Sequence, residues 1–118
     1  MSSPRISKIN ELIKQELSKI ISREIEFPEN TVVTVMRVQT DAEMKKSKIF
    51  VSAIPHAQTG GALSVLKKRK PFLQHRLNRT LVMHFVPALS FAIEKEDAVI
   101  DEIDEIEHLL DTLHREEI

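Results

Sequence analysis

The sequence of 118 residues contains no cysteine, no tryptophan, no tyrosine and only two glycines. Without cysteine the chain forms no disulfide and no thiolate metal site. Two glycines provide neither a glycine-rich loop around a phosphate nor a flexible linker between domains. The N-terminus lacks the apolar core of a secretion signal, and no apolar run is long enough to cross a bilayer. We therefore expect a cytoplasmic protein without a membrane partner.

Acidic residues are missing from one long part of the chain. The formal net charge is −1, yet residues 44–93 hold nine Lys or Arg and no Asp or Glu, whereas residues 94–118 hold 11 acids. This asymmetry is typical of a protein with a polyanionic partner and an acidic tail. With 42% hydrophobic and 30% charged residues, the chain has the length and composition of one globular domain.

The N-terminal residues predict a helix. Ser3 is a favourable N-cap, and Pro4 suits the first helical position, where a backbone N–H would have no partner. Isoleucine and leucine then recur at three- and four-residue intervals as far as residue 21, which predicts one buried face. We expect this helix to end near residues 23–25.

The middle of the chain predicts three strands. Residues 31–39 and 47–54 are dense in β-branched side chains and predict an antiparallel pair. Residues 55–61 predict a loop, and residues 82–86 an extended or irregular segment. Residues 89–93 alternate between apolar and polar and predict the third strand.

A broken helix is predicted between the second and third strands. The stretch LKKRKPFLQHRLNRT, residues 66–80, has helical apolar spacing with Pro71 in its middle. The proline ring would clash with the carbonyl of Lys67 and move Lys70 away from helical dihedrals, so we expect two short helices that meet at an angle. Apolar spacing over residues 99–113 predicts a last helix. The element order indicates an α+β fold.

The stretch around Pro71 also carries the highest density of positive charge. Ordinary solvated helix faces mix charges of both signs, whereas no acid accompanies these cations, so we favour nucleic-acid binding over a lysine-bearing face that serves solubility. A helix beginning after the break would offer the N–H groups of Phe72, Leu73 and Gln74 to a phosphate. The alternative is that Pro71 only bends the chain around the core.

The aromatic content predicts the kind of nucleic acid. All five aromatic residues are phenylalanines, and we expect the core to need most of them, so base stacking would not dominate. A surface rich in cations and poor in aromatics suits the backbone and shape of structured RNA. Catalysis is not indicated, because the five histidines are dispersed and no metal-binding spacing occurs.

Three stretches resemble the bacterial ribosome-binding factor A (RbfA) family, and the likeness spans nearly the whole chain. They are SREIEFP at residues 22–28, VTVMRVQTDAEMKKSKIFVS at residues 33–52 and PALSF at residues 87–91. The family resembles a KH domain that has lost its Gly-x-x-Gly loop and commonly carries an Ala-x-Gly kink. In this chain Arg69-Lys70-Pro71 occupies that place.

The resemblance implies a type II KH-like domain, in which helices cover one face of a three-stranded sheet. We expect residues 1–96 to form it, with residues 97–118 as its acidic C-terminal helix or tail. The implied function is that of a monomeric, non-catalytic assembly factor without cofactor or small-molecule substrate. It would bind the 16S rRNA of the free 30S subunit and assist late rRNA processing and subunit maturation. Contacts with neighbouring ribosomal proteins stay open.

Charge and resemblance together select the expected RNA contacts. The principal expected contacts are Lys67, Lys68, Arg69, Lys70, Arg76 and Arg79, and the secondary ones are His75, Lys45, Lys46 and Lys48.

The alternative function is a protein-interaction module that acts through the acidic C-terminal helix, since the apolar positions of residues 99–113 follow a near-heptad course.

Overall fold

The computed structural model describes residues 3–94, which form three helices and three strands. In chain order these are α1 (Pro4–Glu24), β1 (Val32–Thr40), β2 (Lys46–Ile54), α2 (Thr59–Lys68), α3 (Lys70–Thr80) and β3 (Ala88–Ile93). The predicted α+β order is confirmed over this range. The helix predicted at residues 99–113 lies outside the described residues.

Helix α1 begins and ends as its sequence predicts. The Ser3 hydroxyl accepts a hydrogen bond from the N–H of Ile6 at 3.1 Å, and Pro4 occupies the first turn. The helix ends at Glu24, within the expected range. Its apolar face packs against β1 and α3. The buried residues of that face are Ile13, Leu17, Ile20 and Ile21.

The three strands form one sheet in the order β1-β2-β3. β1 pairs with β2 in antiparallel register, which confirms the predicted hairpin, and β3 pairs with β2 in parallel. Every second residue of β2 is buried, because successive side chains of a strand point to opposite faces. The register of β1 shifts between Val35 and Arg37, which makes Met36 the additional residue of a β-bulge.

All three helices lie on one face of the sheet. Leu66 of α2 and Leu73 and Leu77 of α3 are fully buried, and they share a core with Ile49 and Leu89 of the sheet. The opposite face carries the side chains of alternate residues, among them Arg37 and its cross-strand partner Phe50. The sheet therefore has one covered face and one face that the described helices leave open.

Polar side chains fix the end of the sheet at which β3 begins. The Gln74 amide of α3 donates to the carbonyl of Pro87 at 3.1 Å, and its oxygen accepts the N–H of Leu89 at 2.8 Å. In the turn between β1 and β2, a carboxylate oxygen of Asp41 accepts the N–H of Lys45 at 2.7 Å. These bonds hold the β1–β2 turn and the start of β3 in place.

The connections between the elements agree with most of the expectations. Residues 82–86 are irregular, as predicted. The loop expected over residues 55–61 is shorter, because a 3₁₀ turn at His56–Gln58 leads directly into α2 at Thr59. Among residues 3–94, no helix combines the length and the apolar character that crossing a membrane would require.

Candidate nucleic-acid interface

The basic corner, which we define as Lys67 to Lys70, is the junction between α2 and α3. Arg69 links the two helices with φ −91° and ψ 4°, outside helical dihedrals. Leu66 and Leu73 flank the corner and are 0% exposed, so the core anchors the chain on both sides of it. All four cationic side chains of the corner are left exposed to solvent. The helix break therefore presents four consecutive positive charges on a fixed backbone.

The position of the helix break differs from the predicted one. Pro71 was expected to move Lys70 away from helical dihedrals, but Lys70 is the first residue of α3, and the non-helical residue is Arg69. Proline is tolerated in the first turn of a helix, where it removes no hydrogen bond. The prediction of two short helices is confirmed, and the break lies one residue earlier.

The new helix N-terminus offers fewer free donors than expected. The N–H of Leu73 donates to the carbonyl of Arg69 at 3.0 Å, so it has a partner within the protein. Gln74 is the fifth residue of α3, and its acceptor four residues earlier belongs to the same helix. Of the three predicted N–H groups, only that of Phe72 has no hydrogen-bond acceptor within α3 or its N-cap, because the residue four positions earlier, Lys68, belongs to α2. The positive charge of the corner therefore comes mainly from its side chains.

The guanidinium groups of two arginines lie close to the ring of Phe72. The guanidinium carbon of Arg69 lies 4.5 Å from the ring centroid, and that of Arg76 lies 5.9 Å from it. Arg76 also donates to a carboxylate oxygen of Glu24, the last residue of α1, at 2.5 Å. Arg76 is thus held against α1, whereas Arg69 has no ion pair with any of residues 3–94.

Arg79 extends the positive charge along α3, and His75 lies between it and the basic corner. Both are exposed, and His75 and Arg79 follow Lys70 by about 8 and 14 Å along the helix axis. Neither pairs with a carboxylate in the described part of the chain. They belong to the same helical layer as the basic corner.

The three secondary lysines of the hairpin lie in a different part of the fold. Lys45 ends the β1–β2 turn and pairs with Glu43 at 3.3 Å, with both side chains largely exposed. Lys46 and Lys48 are exposed at the start of β2. Lys48 lies on the open face of the sheet, with its ammonium 5.5 Å from the centroid of the Phe50 ring. The structure thus places Lys48 on the face opposite to the helices.

Arg37 is a charged residue of the open face that the sequence did not single out. Its guanidinium lies 3.7 Å over the Phe50 ring and donates to the carboxylate of Glu94. Cross-strand pairing of Arg37 with Phe50 brings the two side chains together, but the bulge at Met36 sets that register. A strict two-residue alternation along β1 would have placed Arg37 on the covered face. We call Arg37, Lys48 and Phe50 the sheet-face cluster.

The phenylalanines divide between the core and the surface. Phe91 is buried, and Phe27 and Phe72 pack against the core, which confirms that most of the five serve it. Phe50 lies in the sheet-face cluster, and Phe85 is 85% exposed. Within residues 3–94, no group of three His, Asp or Glu side chains is placed to hold a metal ion.

Comparison with known proteins identifies the family. A family model described as ribosome-binding factor A matches residues 5–110. The chain belongs to the ribosome-binding factor A family. A relative of that name from Chlamydia pneumoniae is 31% identical over 109 residues, which cover 90% of this chain and 88% of the relative.

A crystal structure and a fitted model of family members share the fold. The crystal structure of ribosome-binding factor A from Thermus thermophilus has a TM-score of 0.69 at 23% identity, over 78% of this chain and 98% of that protein. A homology model of the Thermus thermophilus factor, fitted into a cryo-EM map of a 30S–RbfA complex, has a TM-score of 0.62 at 25% identity. It covers 70% of this chain and 88% of its own. The predicted α+β fold, with helices on one face of a three-stranded sheet, is confirmed for residues 3–94, and this arrangement is consistent with the type II KH-like class.

Proposed function

We propose that this chain binds the free small ribosomal subunit through phosphates of its 16S rRNA. In this role it assists late rRNA processing and subunit maturation as a monomeric binding protein, without catalysis. The observation that carries the proposal is the basic corner: four consecutive cations are exposed there, and none pairs with a carboxylate of residues 3–94. Unpaired surface cations of this density favour phosphate binding.

Family membership supports the choice of partner. The Thermus thermophilus relative fitted into the map of a 30S–RbfA complex shares the fold at a TM-score of 0.62. The corner fits this partner because lysine and arginine that neutralise phosphates release condensed counterions from the nucleic acid. Such contacts fix position and orientation on RNA, and recognition then depends on the shape of the folded rRNA.

The contacts fall into two groups by their availability. Lys67 to Lys70 form the primary contact, and Arg79 and His75 lengthen it along α3. Arg76 is engaged with Glu24, so its guanidinium supports the Phe72 ring and contributes less to phosphate binding. Lys45, Lys46 and Lys48 supply a second contact from the hairpin to a different segment of rRNA.

Charge reversal of the corner tests the proposal. The triple substitution Lys68→Glu, Arg69→Glu and Lys70→Glu is expected to abolish co-sedimentation of the chain with free small subunits. The side chains are exposed, so the fold should persist, and circular dichroism checks it.

The matched control reverses three cations on α1. Lys14→Glu, Lys19→Glu and Arg23→Glu change the net charge by the same amount as the corner variant. All three residues belong to α1, which covers β1, and not to the basic corner. This control is expected to retain most of the subunit binding. Equal loss in both variants would show that only net charge matters, and full binding by the corner variant would exclude the corner as the contact.

The alternative function depends on the apolar positions of the C-terminal segment. If the chain acts as a protein-interaction module, then Ile103→Ser, Ile106→Ser and Leu110→Ser in the full chain should abolish subunit binding. The rRNA proposal expects this variant to bind. Sedimentation with free small subunits separates the two.

A further inference from the structure

A groove of about 1080 Å³ opens beside α1, at the end of the sheet where β3 begins. Its walls are the N-terminal half of α1, the β1–β2 turn and the irregular residues 82–86. None of the four residues of the basic corner lines it. Of the proposed RNA contacts, only the secondary residue Lys45 lines the groove, so its interpretation does not depend on the basic corner.

Three of the six large apolar side chains that are exposed among residues 3–94 line this groove. Val82 is fully exposed, Phe85 is 85% exposed and Leu12 is 42% exposed, and all three line it. Exposing large apolar side chains to water is unfavourable by about 25 cal/mol for each Å². Exposed apolar patches with a polar rim are typical of sites where a protein segment or a ligand binds.

The rim of the groove is positively charged. Arg5 and Lys8 of α1 lie on one side, and Lys45 of the β1–β2 turn lies on the other. Arg5 and Lys8 have no ion pair within residues 3–94, and Lys45 pairs only with Glu43, which also lines the groove. Because that pair is largely exposed, it contributes little energy and can exchange partners. The groove thus suits an apolar ligand that is flanked by negative charge.

We infer that the groove is the docking site of the chain's own C-terminal segment, residues 95–118. This segment holds ten Asp or Glu against two Lys or Arg. Its apolar residues recur at helical spacing, at Ile103, Ile106 and Leu110 among others, with acids between them. On docking, the apolar positions fill the groove, and the flanking carboxylates face Arg5, Lys8 and Lys45.

The segment is long enough to reach the groove. The described chain ends at the far end of β3, where the N–H of Glu94 donates to the carbonyl of Val51 at 2.8 Å. The distance from Glu94 back along β3 to Ala88, which lines the groove, is about 20 Å. Residues 95–99 in extended form span about 17 Å, and a helix over residues 100–113 covers about 21 Å more.

Other occupants fit the groove less well. RNA phosphate would find cations at the rim but apolar side chains at Val82 and Phe85, which offer it no hydrogen bond. A second copy would have to supply an acidic apolar segment, and residues 95–118 of the same chain already provide one. Because the segment is covalently attached, its effective concentration at the groove reaches the millimolar range.

A single tryptophan in the groove tests the inference. The chain contains no tryptophan and no tyrosine, so Phe85→Trp in the full-length protein introduces its only indole. Phe85 is 85% exposed, and the larger ring is expected to be accommodated. If the segment docks, the indole should show blue-shifted emission and severalfold weaker quenching by acrylamide than a solvent-exposed indole.

Two further full-length variants assign the occupant. Adding Ile103→Ser, Ile106→Ser and Leu110→Ser should remove the blue shift and restore full quenching. Adding His108→Ser, Thr112→Ser and Arg115→Ser places three serines at helical spacing on the side opposite the apolar positions, removes no carboxylate and should largely preserve the protection. Circular dichroism confirms that each variant is folded.

Each outcome decides the inference. An indole that is equally exposed in all three proteins overturns it. Loss of protection on dilution assigns the groove to a second copy and also overturns it. Equal loss in the two triple-serine variants would show that the apolar face is not what fills the groove. Protection that survives dilution and fails only in the apolar variant supports it.

Discussion

Two clusters of cations around a phenylalanine ring can be compared in this fold. In the sheet-face cluster, Arg37 and Lys48 approach Phe50, and at the basic corner Arg69 and Arg76 approach Phe72. In each cluster one arginine is tied to a carboxylate that lies far away in sequence. Arg37 pairs with Glu94 across 57 residues, and Arg76 pairs with Glu24 across 52 residues. Each cluster therefore keeps one cation that is not paired within residues 3–94.

The two rings differ in what lies beneath them. Phe72 packs against the hydrophobic core, whereas Phe50 lies on the open face of the sheet, and its nearest cation at 3.7 Å is the paired Arg37. The free cation at the corner, Arg69, belongs to a run of four, whereas Lys48 alternates along its strand with buried residues. Tertiary pairing, which the local sequence does not show, decides which cations remain free of a carboxylate partner among residues 3–94.

The salt dependence of binding should separate the clusters most strongly. If about six phosphates are contacted, the log–log slope of affinity against salt is roughly −4 to −5, a loss of several hundredfold between 50 and 200 mM. Substituting all four corner residues, Lys67 to Lys70, with alanine should flatten the slope by about three. Binding of the full chain to free small subunits over a salt series measures it.

The matched variant for this experiment is Arg37→Ala with Lys48→Ala. It should flatten the slope by about one or less, because only Lys48 is free to neutralise a phosphate. Equal flattening by the two variants would show that both faces of the domain contact rRNA with similar weight. The two clusters would then not differ in their contribution to rRNA binding.

The fold was largely predictable because its signals are local. The N-cap at Ser3, the β-branched runs and the apolar spacing around Leu66, Leu73 and Leu77 each act within a few residues, and the structure contains the corresponding elements. The break was predicted at Lys70 but lies one residue earlier, at Arg69. Proline disfavours helical dihedrals in the residue before it, yet Lys70 is the first helical residue of α3.

The charged site was predictable only in part. The exposure of the corner cations follows from the helical stripe that buries Leu66 and Leu73. The pairing of Arg76 with Glu24 depends on how α3 packs against α1, and no local pattern encodes that contact. Arg37 was missed because the bulge at Met36 determines its face.

Replacing Phe72 or Phe50 with alanine should show how strongly the core supports each ring. Phe72→Ala is expected to lower the free energy of unfolding by about 2 kcal/mol, since the ring is half-buried against the core. Phe50→Ala should cost about 1 kcal/mol, because it removes mainly the cation contacts and partial burial on the open face.

Chemical denaturation followed by far-ultraviolet circular dichroism measures both changes, because the chain lacks tryptophan as an intrinsic probe. Phe72→Leu serves as a control that keeps apolar volume at the corner, and it should recover much of the lost stability. A larger loss for Phe50→Ala than for Phe72→Ala would reverse the assignment of which ring the core supports.

The carboxylates that hold the two paired arginines give the smallest expected effect. Glu24→Gln should release Arg76 and strengthen subunit binding by about twofold to threefold, since the freed guanidinium lies in the same helical layer as the corner. Glu94→Gln releases Arg37 on the open face and should leave binding nearly unchanged. Each substitution removes a partly exposed ion pair and should cost at most about 1 kcal/mol of stability.

The two variants change charge by the same amount, so any difference between their affinities reports location alone. Stronger binding by Glu94→Gln than by Glu24→Gln would move the principal rRNA contact from the helical corner to the open face of the sheet.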